Sequence, residues 1–153
     1  MKILKLLSSI VICFIAGIIG SLYTSNSVQT WYAYIEKPIF NPPNWLFAPV
    51  WTVLYVLIGI SLFLVWESKT KNKKKAYIFF AIQLLLNTFW SIIFFGYHNL
   101  FFAFIEIIVL WIMILLTIIE FYKISKTTLY LLLPYLLWVS FATILTFSVW
   151  QLN

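Results

Sequence analysis

Three stripes of side chains at helical spacing carry the groups in this chain that are able to do chemistry. Trp51, Tyr55, Ile58 and Leu62 share one helix face, and Gln83, Asn87, Trp90 and Phe94 share a second. Trp138, Ala142, Leu145 and Thr146 form the third, with small Ala142 one turn from large Trp138. Rings at these intervals suit stacking on a flat apolar guest, and amides among them supply donors and acceptors that fix its orientation. A run dense in tryptophan and proline, Lys37 to Thr52, leads into the first stripe. One aromatic stripe alone is usual packing, whereas three beside an aromatic segment point to a pocket.

Acid–base, metal and nucleophile chemistry find little to work with. There is no Ser-His-Asp set, no glycine loop for phosphate and no cluster of metal ligands. His98 is the single histidine, in a short loop, and reads as a hydrogen-bonded turn residue. Cys13 is the single cysteine, which excludes an intrachain disulfide and a thiolate metal site. Glu106 lies about two turns inside an apolar stretch, where a carboxyl must be protonated, paired or facing a polar cavity. Glu67 and Glu120 lie near the lysine-rich loops and are expected to pair or snorkel there. Any reaction therefore draws on the chemistry of the ligand itself.

The elements that must position these stripes are membrane spans. Apolar residues make up 64% and charged residues 9% of the chain, against about 45–50% and roughly 25% in soluble domains. Five apolar stretches, at about 3–23, 44–66, 76–96, 100–122 and 128–150, each approach the ~20 residues that cross a bilayer. The expectation is an all-α integral membrane protein, a five-transmembrane-helix bundle forming one domain over 1–153. Pro42-Pro43 suits the start of the second span, while Pro49 inside it predicts a bend and a freed carbonyl. The third stripe starts near Pro134-Tyr135. Ala16, Gly17, Gly20 and Ser21 give the first span a small-residue face for close packing. Gln83 and Asn87, in mid-span, are costly against lipid and must point inward, to a neighbouring helix or to a ligand.

The segment Thr24–Asn44 is too polar to cross and too aromatic for a plain linker. Trp31, Tyr32, Ile35, Ile39 and Phe40 alternate there with Gln29, Glu36 and Lys37. It is either an aromatic anchor at headgroup level or a lid over a cavity.

All ten basic residues are lysines, and they sit in loops without forming a helical stripe, which argues against nucleic-acid binding. With five crossings, Lys2, Lys5, Lys69, Lys71, Lys73, Lys74, Lys75, Lys123 and Lys126 share one face, and only Lys37 lies on the other. The positive-inside rule then places the N-terminus in the cytoplasm and the C-terminus outside the cell membrane. The first span is either retained or a cleaved signal peptide. Its run Leu6–Tyr23 exceeds the about 7–15 residues of a signal core and favours retention. Long exposed helix faces on so small a bundle predict a homodimer.

These motifs resemble the translocator protein family, the peripheral-type benzodiazepine receptors or tryptophan-rich sensory proteins. The resemblance rests on Lys37-Pro38, Asn41-Pro-Pro43, Trp45, Phe47, Pro49-Val-Trp-Thr52, Leu54-Tyr55 and Gly59. It continues through Gln83, Asn87 and Trp90 to Pro134-Tyr-Leu136, Trp138, Phe141-Ala-Thr143 and Leu145. It implies a five-helix, usually dimeric membrane protein with a pocket under the loop joining the first two spans. It also implies ligands: porphyrins, isoquinoline carboxamides and benzodiazepines, with cholesterol for animal members. Carried onto this chain, the pocket residues are Tyr32, Pro42, Trp51, Tyr55, Asn87, Trp90, Trp138, Ala142 and Leu145. For bacterial members the resemblance implies light-dependent degradation of protoporphyrin. Trp51 and Trp138 would be the active side chains, with light and oxygen as co-reactants and no resident cofactor.

Metal-free protoporphyrin IX fits better than haem, since no span offers an axial histidine, and Lys37 is the lid-side lysine for a propionate. The sterol-recognition pattern is broken, with Phe147 for tyrosine and Gln151 for the basic residue, which speaks against specific sterol binding. The alternative function is a transporter of porphyrins or other hydrophobic ligands. Against it, the chain lacks the paired broken helices or inverted halves of secondary carriers.

Overall fold

In hydrocarbon a backbone must satisfy its own N–H and C=O groups, and for apolar runs of this length the helix is the available solution. The computed structural model covers residues 1–153 and contains five helices long and apolar enough to cross a membrane. Helix α1 spans Lys2–Val28, and a short α2, Trp31–Tyr34, follows in the connecting segment. Helix α3, Phe47–Glu67, is entered through a 3-10 turn, Asn44–Leu46. Helix α4, Lys74–Ser91, continues as a π-helical stretch, Ile92–Gly96. Helices α5, Leu100–Ile124, and α6, Thr127–Leu152, complete the bundle.

Two local expectations need correction. First, α1 does not stop near Tyr23, because its polar C-terminal residues bond back to their own helix. Ser21 Oγ donates to the Ile18 carbonyl at 2.8 Å and Thr24 Oγ1 to that of Gly20 at 3.3 Å. Second, Pro49 is not an interior proline. It lies in the first turn of α3, where a missing N–H removes little. Pro43 caps the 3-10 turn from outside and does not open the helix. Helix α6 starts at Thr127, in line with the expected limits, and Pro134 inside it leaves the Tyr130 carbonyl without its usual donor.

Around the bundle the helices run α1, α3, α6, α5, α4 and back to α1. Each seam has its own chemistry. Phe80 stacks on Phe121 between α4 and α5, with centroids 5.6 Å apart, and Trp111 Nε1 donates to Ser140 Oγ at 2.7 Å between α5 and α6. Thr88 Oγ1 reaches across to the Ala16 carbonyl at 3.0 Å and ties α4 to α1. At the lysine-rich end, Lys5 pairs with Glu67 at 2.7 Å, and Glu120 takes Lys123 at 2.9 Å and Lys75 at 3.5 Å. Both glutamates pair as expected.

The half of the core nearest the lysines is filled by residues such as Ile58, Val65, Ile114 and Phe121. Toward the other end the packing becomes aromatic, with Tyr32 and Phe94 buried beside Ala103, Leu145 and Val149.

The α1–α3 seam depends on Gly59, where an added Cβ would lie 2.7 Å from the Ile10 Cα. That neighbour is backbone and cannot rotate away, so Gly59→Leu must push two helices apart. The expected result is a loss of about 1–3 kcal/mol, the usual range for overpacking, seen as a lower unfolding midpoint in detergent. An unchanged midpoint would show that this close approach is not required.

Candidate ligand pocket

The polar centre of the bundle is a chain of four side chains from three helices. Tyr55 on α3 donates to Asn87 Oδ1 at 2.7 Å, and Asn87 Nδ2 on α4 donates to the Tyr135 hydroxyl of α6 at 2.9 Å. Tyr135 in turn donates to Gln83 Oε1 at 2.8 Å. All four residues are buried. Both readings of the mid-span amides therefore have a place. Gln83 serves the helix–helix contact alone, whereas Asn87 does so while also facing a cavity.

Above this chain, away from the lysine-rich end, lies a cavity of about 440 Å³. It takes walls from all five long helices and a roof from the connecting segment. Tyr32, Trp51, Tyr55, Asn87, Trp90, Trp138, Ala142 and Leu145 all line it. Pro42 does not; it sits half-buried in the approach to α3. Sequence reasoning missed the α1 wall, because Gly17 and Ser21 read as a packing face and Thr24 and Ser25 as part of the connecting segment. Gly17 is needed there, since a Cβ would strike the Tyr55 ring. Tyr135 was also missed as the hub of the polar chain. Its signal was weak, a lone phenol behind a proline in an apolar run.

The rings are held by one another. Trp51 stacks on Tyr55 with centroids 5.5 Å apart and meets Tyr135 edge-on at 6.2 Å. Trp90 stacks on Phe94 at 4.9 Å, and Trp138 packs against Phe47 at 6.0 Å and Phe141 at 5.6 Å. The indole N–H groups of Trp90 and Trp138 are buried without an acceptor.

The connecting segment is a lid, fastened at several points. Tyr32 is buried beneath it and donates to Asn41 Oδ1 at 2.8 Å. Burial pushes the Tyr32 phenol up to about 12, the Asn41 contact pulling the other way, so it stays a neutral donor. Asn153 clamps the segment through the Glu36 backbone, accepting from its N–H at 3.1 Å and donating to its carbonyl at 2.9 Å.

Lys37 folds back on the lid, its Nζ donating to the carbonyls of Tyr32 at 2.7 Å and Ile35 at 3.0 Å. It does not line the cavity, contrary to the expectation that it waits for a propionate. His98 adopts a left-handed backbone, φ 54°. Its ring stacks on Trp31 at 4.2 Å, and its Nε2 lies 3.3 Å from Ser27 Oγ. This is the turn role expected of it, with a lid contact added. Glu106 is not among the lining residues, and neither of its oxygens has a partner.

Comparison with known proteins gives this five-helix bundle a family. The model of the TspO/MBR family matches residues 9–151. The chain belongs to the TspO/MBR family. It is 50% identical to the tryptophan-rich protein TspO of Archaeoglobus fulgidus, covering 100% of this chain and 99% of that protein. It is 33% identical to the translocator protein of Homo sapiens, with 92% and 83% covered. The tryptophan-rich sensory protein of Cereibacter sphaeroides is 34% identical over 80% of this chain and 77% of its own length. Family membership and the apolar helices together make this an integral membrane protein.

The hub makes a direct test of the polar chain. Tyr135→Phe leaves Asn87 Nδ2 and Gln83 Oε1 without their partner. The expected loss of unfolding free energy in detergent is about 1–3 kcal/mol. Tyr130→Phe, on an exposed face of the same helix, should change little. Equal effects of the two changes would deny the hub its role.

Proposed function

We propose that this TspO/MBR family member is a receptor-like membrane protein that binds porphyrins, metal-free protoporphyrin IX above all, in the cavity beneath the lid. Isoquinoline carboxamide and benzodiazepine ligands suit the same site. The observation that carries the reading is the cavity of about 440 Å³, within the ~300–1,000 Å³ of ligand pockets. Three indoles and two phenols among its walls stack well on a macrocycle. With Lys37 engaged in the lid, the propionates meet neutral donors near the mouth, Ser25, Gln29 and Asn44. Binding has more support than transport, because the polar chain and the aliphatic half of the core close the cavity from below.

Degradation in light is the proposed reaction. The excited porphyrin and oxygen supply the oxidising chemistry, and the neighbouring indoles of Trp51 and Trp138 supply electrons while the walls limit water. Titration with protoporphyrin should quench tryptophan fluorescence saturably, and less so in Trp138→Phe. Under light and oxygen the bound porphyrin should lose its Soret band faster than free porphyrin, giving a defined product. The double change Trp51→Phe/Trp138→Phe should abolish that gain and keep affinity within about tenfold, ~1.4 kcal/mol. Bleaching of equal speed in the double variant leaves a binding protein without this reaction; absent quenching removes the binding reading as well.

The same reading places the chain in the cell membrane as a homodimer, N-terminus in the cytoplasm. The concentration of lysines at one end, nine of the ten, supports that orientation. Crosslinking in native membranes should give a dimer, and a label at position 2 should be protected in intact cells. A monomer in bilayers or an accessible label would each overturn its part.

A further inference from the structure

At the end of the bundle opposite the cavity, the α3–α4 loop folds over the start of α4 and forms a second, shallow recess. Lys71, Lys73 and Lys74 border it above, and Tyr77, Ile78 and Ala81 below. Lys74, Tyr77, Ile78 and Ala81 stand at i, i+3, i+4 and i+7 and so share one face of α4. Along that face the chemistry passes from ammonium to phenol to hydrocarbon within about 10 Å of helix rise. Because α4 crosses the membrane, the lower part of the face lies among acyl chains and the upper part at headgroup depth.

The charges here are unbalanced within the protein. The two carboxylates at this end, Glu67 and Glu120, are taken by Lys5, Lys75 and Lys123. Lys73 turns inward and donates to the carbonyls of Trp66 and Ser68. That leaves Lys71 and Lys74 on the recess without a partner, beside a helix start that has no acidic residue in its first turn and no side-chain cap. The positive-inside rule accounts for lysines on this face. It does not ask for their loop to close over an apolar stripe on the same helix.

We propose that this recess holds one anionic phospholipid, its phosphate between Lys71 and Lys74 and an acyl chain along Ile78 and Ala81. The Tyr77 phenol sits at the boundary, within the zone where such rings favour the headgroup level. A free phosphate would use the upper half and leave the hydrocarbon stripe unused. A zwitterionic lipid would fill the stripe and leave the two ammonium groups uncompensated. This site is independent of the porphyrin reading, which concerns the other end of the bundle.

Native mass spectrometry of the full chain in mild detergent tests it, with dioleoylphosphatidylglycerol, dioleoylphosphatidylcholine and inorganic phosphate as separate probes. One phosphatidylglycerol should be retained about tenfold more strongly than phosphatidylcholine, and phosphate at equal concentration should not displace it. Lys71→Gln/Lys74→Gln should remove that preference. Lys123→Gln/Lys126→Gln, which removes the same charge elsewhere on this face, should keep it. Ala81→Trp, which fills the lower recess without altering charge, should also weaken retention. Equal retention of the two lipids, displacement by phosphate alone, or equal loss in both lysine pairs would each overturn the proposal.

Discussion

Hydrocarbon offers no water to complete a hydrogen bond, so a polar side chain in mid-span binds the helices that can satisfy it. Asn87 is where this constraint acts most strongly. Through it α3, α4 and α6 are joined by Tyr55 and Tyr135, and Tyr135 carries the chain on to Gln83. Turning α4 by one residue, about 100°, would aim both amides elsewhere and leave the two phenols short of partners. The rotation that satisfies the amides also sets Trp90 and Phe94, on the same face, against the space above. The pocket wall therefore follows from the polar chain.

The two ends of the core differ for a reason of shape. Branched aliphatic side chains interdigitate and close the half nearest the lysines. At the other end, broad rings stack, as Trp51 does on Tyr55, or meet edge-on or tilted, as Trp51 does with Tyr135 and Trp138 with Phe141, next to small residues such as Gly17, Ala48 and Ala142. Rings in such arrangements cannot fill the volume that small neighbours leave, and a cavity remains. The lid closes it through bonds that draw little on the cavity's own donors. Lys37 and Asn153 reach lid backbone, and Tyr32 reaches Asn41. Roof and walls are in this way held by separate sets of contacts.

Charge is confined to the ends. Ion pairs among Lys5, Glu67, Lys75, Glu120 and Lys123 tie the ends of α1, α3, α4 and α5 together where solvent and headgroups meet. Exposed pairs of this kind add little stability individually. Their effect here is to use up both carboxylates, so that Lys71 and Lys74 keep their charge without a partner in the protein.

The number of spans, their approximate limits and the inward direction of Gln83 and Asn87 were legible in the sequence, because each follows from local composition and a 3.6-residue period. So was the gathering of the three ring-bearing stripes beside the aromatic segment Thr24–Asn44, since helix direction alternates from span to span. Other features arise only when segments distant in the chain meet. The order α1, α3, α6, α5, α4 is one, and the hub at Tyr135 is another, because a phenol in an apolar run shows nothing of its partners until the helices pack. The continuation of α1 to Val28 was hidden because Ser and Thr bond to their own helix as readily as they end it. Pro49 was misread for the opposite reason: its effect depends on where the first turn begins, and that is set by the Asn44–Leu46 turn before it. Periodicity placed each side chain on a face, and only packing decided which face it met.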